Sequence, residues 1–189
     1  MPEIAKMFGL ANFKLTHIKS NKVLNFDGAE YLQAEGGEIS FTPSYYDETW
    51  ADSGENVVEK YVTGQEGTVQ LVVGQYSPDL MQLAMNAVKA ITDTTTGDVV
   101  GLTDAPIGTK ASDNAYKAEI HPRVLPAEDK SQDITIYRVI ADSEFNRAFV
   151  NEINQVTIQL SMIPREGADF SKASNYFYTG PTDPNAVTP

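Results

Sequence analysis

Two histidines, His17 and His121, are the side chains in this sequence best suited to moving a proton near neutral pH. They stand singly and far apart, each beside strand-like residues, where a histidine is ordinarily structural. No HExxH, GxSxG or GxxxxGK[ST] pattern occurs. A serine triad can assemble in space, but no local elbow supports one. The 26 Asp and Glu residues would allow a pair of carboxylates flanking a glycosidic bond; solvated surface acids are the stronger reading. Residues 93–98, DTTTGD, mimic part of a calcium loop but lack the remaining spacing and the bidentate Glu. The absence of cysteine excludes a disulfide framework, a thiolate nucleophile and a Cys-based zinc site. The expectation is a protein that is not an enzyme and carries no cofactor or metal.

Bulk properties narrow the class further. At 189 residues the chain suffices for one domain and a short arm, and such a domain buries roughly two thirds of its unfolded surface without staples. The formal charge is −12, which repels nucleic acid and anionic membrane and argues against a sequence reader of DNA. It is compatible with a protein that touches DNA without holding it, and equally with solubility alone. The N-terminal MPEIAKMFGLANF has no apolar h-region after its lysine. The longest apolar stretch falls short of the ~18 residues a spanning helix needs. A soluble protein made in the cytoplasm is expected.

The elements that would position any site are strands. Residues 12–18 read as a first strand or a docking arm, followed by KVLNFDG and AEYLQAEGG, with turns at Asp27-Gly28 and Gly36-Gly37. GEISFTPSYYDETW alternates, with Ile39 and Phe41 on one face and Glu38, Ser40 and Thr42 on the other; Pro43 ends the strand, bulges it or places it on an edge. A long loop over about residues 43–57 is then expected, rich in acids and carrying Tyr45, Tyr46 and Trp50, the one tryptophan. It either folds back on its own domain or packs on another subunit. VVEKYVTG and GTVQLVVG read as two strands joined tightly through TGQEG; in the second, Thr68 and Gln70 oppose Val69, Leu71 and Val73.

Ser77 suits an N-cap, Pro78 the first helical position, and the apolar stripe from Leu80 to Ile91 predicts a helix over about 78–91. Residues 97–115 read as mostly loop. AYKAEIHPR and DITIYRVIAD are strands, and NQVTIQLSMIP is the cleanest two-faced one, with Val156, Ile158, Leu160 and Met162 opposite Thr157, Gln159 and Ser161. Residues 1–165 form one domain, and 166–189 an extended arm without its own core. The fold class is mainly β: an antiparallel β-sandwich or partial barrel flanked by one α-helix.

Four stretches carry a family resemblance: GGEISFTPSYYDETWADSGENV, YVTGQEGTVQLVVGQYSPDLMQLAM, YKAEIHPR and NQVTIQLSMIP. In that order and spacing, over most of residues 20–165, the chain resembles the major tail tube proteins of long-tailed, siphovirus-type bacteriophages. The resemblance implies a β-sandwich with one helix whose inner strands join those of identical subunits into a continuous β-barrel. Hexameric rings of such subunits stack into a hollow tube that conducts DNA during ejection. Implied partners are identical subunits, tape measure protein and viral DNA in the lumen, and tail tip and terminator proteins at the ends, with no membrane. The location implied is the virion tail, assembled in the host cytoplasm.

On this reading Tyr45, Tyr46, Trp50 and Asp52 are expected at ring-to-ring contacts, and Phe170, Tyr176 and Tyr178 at adjacent subunits, against ordinary packing within the chain. Candidate lumen-facing residues are Glu38, Ser40 and Thr42, Thr68 and Gln70, and Thr157, Gln159 and Ser161; which set lines the lumen stays open. A polar, acidic lumen would repel DNA phosphates and let DNA slide. Some relatives carry a C-terminal immunoglobulin-like domain, for which the residues after Pro164 are too few. Alternatives are a related ring-forming tail terminator or Hcp-like secretion tube protein, or a carbohydrate-binding β-sandwich.

Overall fold

The structure, a computed structural model, describes residues 9–149, 151 and 155–186. Among them the chain is mainly β, antiparallel throughout, with one α-helix. The strands are β1 (Ala11–His17), β2 (Val23–Phe26), β3 (Gln33–Thr49), β4 (Val57–Val73), β5 (Val88–Thr92), β6 (Val99–Asp104), β7 (Tyr116–Pro122), β8 (Ile134–Ala141), β9 (Val156–Met162) and β10 (Phe177–Thr179). One large sheet runs in the order β2-β1-β7-β8-β9-β4-β3, with β10 added on β8, and β5 and β6 form a separate hairpin.

The sheet folds over so that its two ends meet. Gln33 at the start of β3 donates from Nε2 to the carbonyls of Ala11 and Phe26, at 2.7 and 2.6 Å. A Cβ on Gly37 would lie 2.5 Å from the Phe13 ring of β1, so only glycine permits this approach. Between the two halves lies one core, built from Phe13, Leu15, Phe26, Leu71, Ile136, Ile158 and Leu160 among others. Strands of the large sheet contribute through their period-two alternation; β9 is the clearest case, with Ile158, Leu160 and Met162 buried.

Helix α1 (Pro78–Ala84) closes one end of this core with Leu80, Leu83 and Ala84. Ser77 caps it, its Oγ accepting the Leu80 N–H at 3.1 Å. The helix is shorter than the stripe over 78–91 predicts. Met85 leaves helical geometry at φ −118°, ψ 85°, and β-branched Val88 and Ile91 enter β5 instead. Within 97–115, expected as mostly loop, Val99–Asp104 form β6, which pairs with β5, and Ala111–Asn114 a 3-10 turn; the rest is irregular. DTTTGD is the turn of that hairpin, with Asp93 Oδ1 accepting the N–H groups of Thr95 and Thr96.

Four further expectations are corrected. The long loop over 43–57 is strand for most of its length: Tyr45 pairs with Val62, Tyr46 with Tyr61 and Asp47 with Lys60, leaving only 50–56 as the turn. TGQEG is not a connection between two strands but the middle of β4, where Gly64 pairs with Ser44 and Gly67 with Phe41. Gly36-Gly37 does not end a strand; it sits at an irregularity in the β3–β4 register. Finally, 166–189 is no free arm over its described part. Phe177 stacks on Phe41 with centroids 4.2 Å apart, and β10 pairs with β8 through Phe177 and Ile136. The tail has no core of its own and shares that of the sheet. Pro43 lies on the edge strand beside a bulge between Ser44 and Tyr45.

Candidate assembly surfaces

The registers of β3, β4 and β9 bring the predicted polar residues into contiguous rows. Glu38 pairs with Gln70, which pairs with Gln159; Ser40 pairs with Thr68, which pairs with Ser161. Thr42 lies opposite Glu66, and Thr157 opposite Val72. In antiparallel pairing such partners share a face, so all eight candidates lie on one side of three adjacent strands. The other side is core: Ile39 pairs with Val69 and Val69 with Leu160, while Leu71 pairs with Ile158. Glu38, Ser40, Thr42, Thr157 and Gln159 are exposed, and Thr68, Gln70 and Ser161 half-buried. Ser161 donates to Asp142 Oδ1 at 2.6 Å. The ionisable groups of the face, Glu38, Glu66 and Asp142, are all acidic.

This three-stranded face has two open margins among the described residues. Strand β3 is the last in the sheet order and pairs with β4 alone. On the far side, β8 pairs with β9 only from Leu160 to Met162; residues 156–159 have no ladder partner there among the described residues, although the Gln159 carbonyl accepts the Ser143 hydroxyl at 3.4 Å. Unpaired strand edges are templates for further strands.

Beyond Thr68 the β3–β4 hairpin becomes a two-stranded arm. Residues 57–67 of β4 pair with β3 alone, roughly 35 Å of strand at ~3.3 Å per residue. The arm is unusually apolar for a solvated ribbon: Tyr46 and Trp50 are each 61% exposed and Val62 68%, with Tyr45, Val57, Val58 and Tyr61 also exposed. Trp50 is thus not folded back on its own domain. The tip is nonetheless ordered, Ser53 N–H donating to the Trp50 carbonyl at 3.0 Å and Asn56 Nδ2 to the Ser53 carbonyl at 2.9 Å. Asp52 is exposed on the 3-10 turn Ala51–Ser53. Asp47 and Lys60 form a cross-strand ion pair at 2.7 Å.

The tail residues separate. Phe170 is exposed, its ring 6.4 Å from that of Tyr176. Tyr176 packs on the core, and Tyr178 lies on β10 with its ring 5.5 Å from Tyr137. A polar latch that the sequence did not suggest holds this tail. Tyr137 donates its hydroxyl to Asp183 Oδ1 at 2.6 Å, and Asn185 Nδ2 donates to Tyr137 Oη at 2.8 Å and to the Ser174 carbonyl at 2.7 Å. Burial and then the Asp183 carboxylate push the Tyr137 pKa up to about 12.

Both histidines have structural partners. His17 Nδ1 accepts the Ser20 N–H at 3.0 Å, and its ring meets Tyr116 edge-on. His121 Nδ1 lies 2.5 Å from Asp133 Oδ1, in an open polar cleft of about 550 Å³ that also exposes Lys14, Glu119 and Lys130. Asp133 is a partner that sequence spacing could not reveal, because it enters through the β7–β8 turn. Nε2 of His121 faces the Leu125 carbonyl at 3.4 Å, and among the described residues neither ring nitrogen bonds a hydroxyl. Among the described residues no group of three or more His, Cys, Asp and Glu is arranged to hold a metal ion. No helix among them is long and apolar enough to cross a membrane. No protein-family model matches the chain, and no curated protein matches it.

Proposed function

We propose that this protein is a structural virion subunit that self-assembles into stacked hexameric rings, forming the tail tube of a long-tailed bacteriophage. On this reading the subunit is a β-sandwich, and its β3-β4-β9 face lines the lumen of a barrel shared by all copies. The observation that carries the proposal is the register that aligns Glu38–Gln70–Gln159 and Ser40–Thr68–Ser161 on one exposed face. A polar face on three strands, with the outer edge of β3 and part of the outer edge of β9 lacking a ladder partner among the described residues, suits lateral continuation from copy to copy. Pairing the β3 edge of one copy with the open β9 edge of the next uses two different surfaces. Such a contact closes into a ring when the rotation permits, and closure removes the edges. The acidic groups on the face then keep DNA phosphates from adhering to the wall. Hexameric stoichiometry, the tape measure protein and the end-capping partners come from the family resemblance.

Native mass spectrometry of the concentrated protein tests the ring. Six copies, or multiples of six, are expected. A mass distribution that stays at one copy over the whole concentration range would sink the proposal.

A further inference from the structure

An apolar cleft of about 580 Å³ lies between the end of α1, the start of β5, the 105–111 turn and Phe145. Ala84, Val88, Ala105, Pro106, Ile107 and Phe145 give it a largely hydrocarbon lining. Ile107 stands fully exposed at its rim. A cleft of this size falls within the range that buries large side chains, and it borders the polar face only at Asp142 and the β9 edge at Ser143.

Its position relative to the arm is informative. Ala141 in the cleft pairs with Leu160, and Leu160 with Val69. Helix α1 begins shortly after Val73, the last residue of β4. The cleft therefore flanks the C-terminal half of β4, whereas the Trp50 tip lies beyond its N-terminal end at Val57. The 17 residues of β4 span about 55 Å at ~3.3 Å each. Arm and cleft are thus different surfaces at opposite ends of the strand axis. A contact between them on two copies is heterologous and advances the assembly along that axis instead of closing a pair.

The chemistry of the two surfaces fits. The arm presents Trp50, Tyr46, Tyr61 and Val58 with Asp47, Glu48, Asp52, Glu55 and Glu59 against the single cation Lys60. On a chain of charge −12 most surfaces would repel it. The cleft repels it less: Lys110 lines it and Lys89 flanks it on β5, against one carboxylate in its lining, Asp142. We infer that the Trp50 tip of one copy seats in this cleft on the next copy along the axis. A second copy is the occupant because both halves of the contact belong to one chain and lie at opposite ends of β4. The inference rests on the assembly reading and adds the receiving surface to it.

The chain contains no cysteine, so Asp52→Cys and Ile107→Cys each place one thiol at an exposed site. Equimolar mixtures of the two single variants, at assembling concentration, are treated with a short bis-maleimide. The expected result is a linked dimer several-fold above that of a control mixture of Asp52→Cys with Glu128→Cys, whose thiol lies on the exposed β7–β8 turn. Linking equal to the control in a sample that forms normal rings and tubes overturns the docking site and leaves the assembly reading standing. A sample that stays monomeric overturns both.

Discussion

His17 is 8% exposed, and its Nε2 is buried with no hydrogen-bond partner among the described residues. Burial lowers its pKa below the ordinary value of 6.5, outweighing the opposing influence of the Asn114 side chain. The folded-state pKa is therefore below the unfolded one, and the unfolded chain takes up the proton first as pH falls. The contribution of neutral His17 is complete above about pH 6.5 and declines as pH drops through that value toward the lower folded pKa. Urea midpoints measured from neutral pH to about pH 5 are expected to fall more steeply for the native chain than for His17→Gln; parallel curves would contradict this role. Gly37 offers a test of the sheet closure. A Cβ there would meet Phe13 ring carbons at 2.5 and 2.6 Å and Leu71 Cδ2 at 2.9 Å. Gly37→Ala is expected to cost about 1–3 kcal/mol in denaturant unfolding, the range for forcing an atom into a packed core. A change near zero would mean that β1 and β3 separate readily.

How far the elements could be read depends on how cleanly their residues alternate. In β9 every second residue from Val156 to Met162 is apolar, and the strand formed as the pattern requires. Ser77-Pro78 marked the start of α1, and the Ser77 cap is present. Ser77→Ala is expected to lose about 1 kcal/mol of stability, read as a lower midpoint with unchanged m-value; an unaltered midpoint would show that the cap contributes nothing. The helix end was not legible, because Leu, Ala, Val and Ile at spacings of three and four fit both a longer helix and a helix followed by a hairpin. Of the arm, VVEKYVTG was readable as a strand, but its pairing with residues 43–49 was hidden for another reason. The arm's strands lie off the core, so Tyr45, Asp47, Val58 and Lys60 carry no two-faced pattern, and Gly64, Gly67 and Pro43 imitate turn signals. Nor could β10 be read from three residues, since its position depends on Phe41, far away in sequence. The candidate polar residues were recognisable singly from alternation, but their union on one face is a property of register.

At the scale of the whole molecule, charge and edges decide behaviour. A chain of −12 repels its own copies at long range, so the proposed assembly through edge pairing is expected to be favoured by salt, which screens beyond ~10 Å at 0.1 M. The same charge governs the proposed lumen. Replacing Glu38 and Glu66 together by Lys turns two acidic positions on the face basic and changes the charge of every subunit by about +4. Tubes of this double variant are expected to retain short duplex DNA on sedimentation at low salt and release it as salt rises, while native tubes leave the DNA in solution. Equal retention by both would place this face elsewhere than on the lumen. The central claim is that copies of this chain complete one another's sheets around a channel. Electron microscopy of the purified, concentrated protein tests it most directly. The account predicts rings and hollow tubes with a stain-filled centre; a field of separate particles of single-chain size, unchanged by concentration or salt, would contradict it.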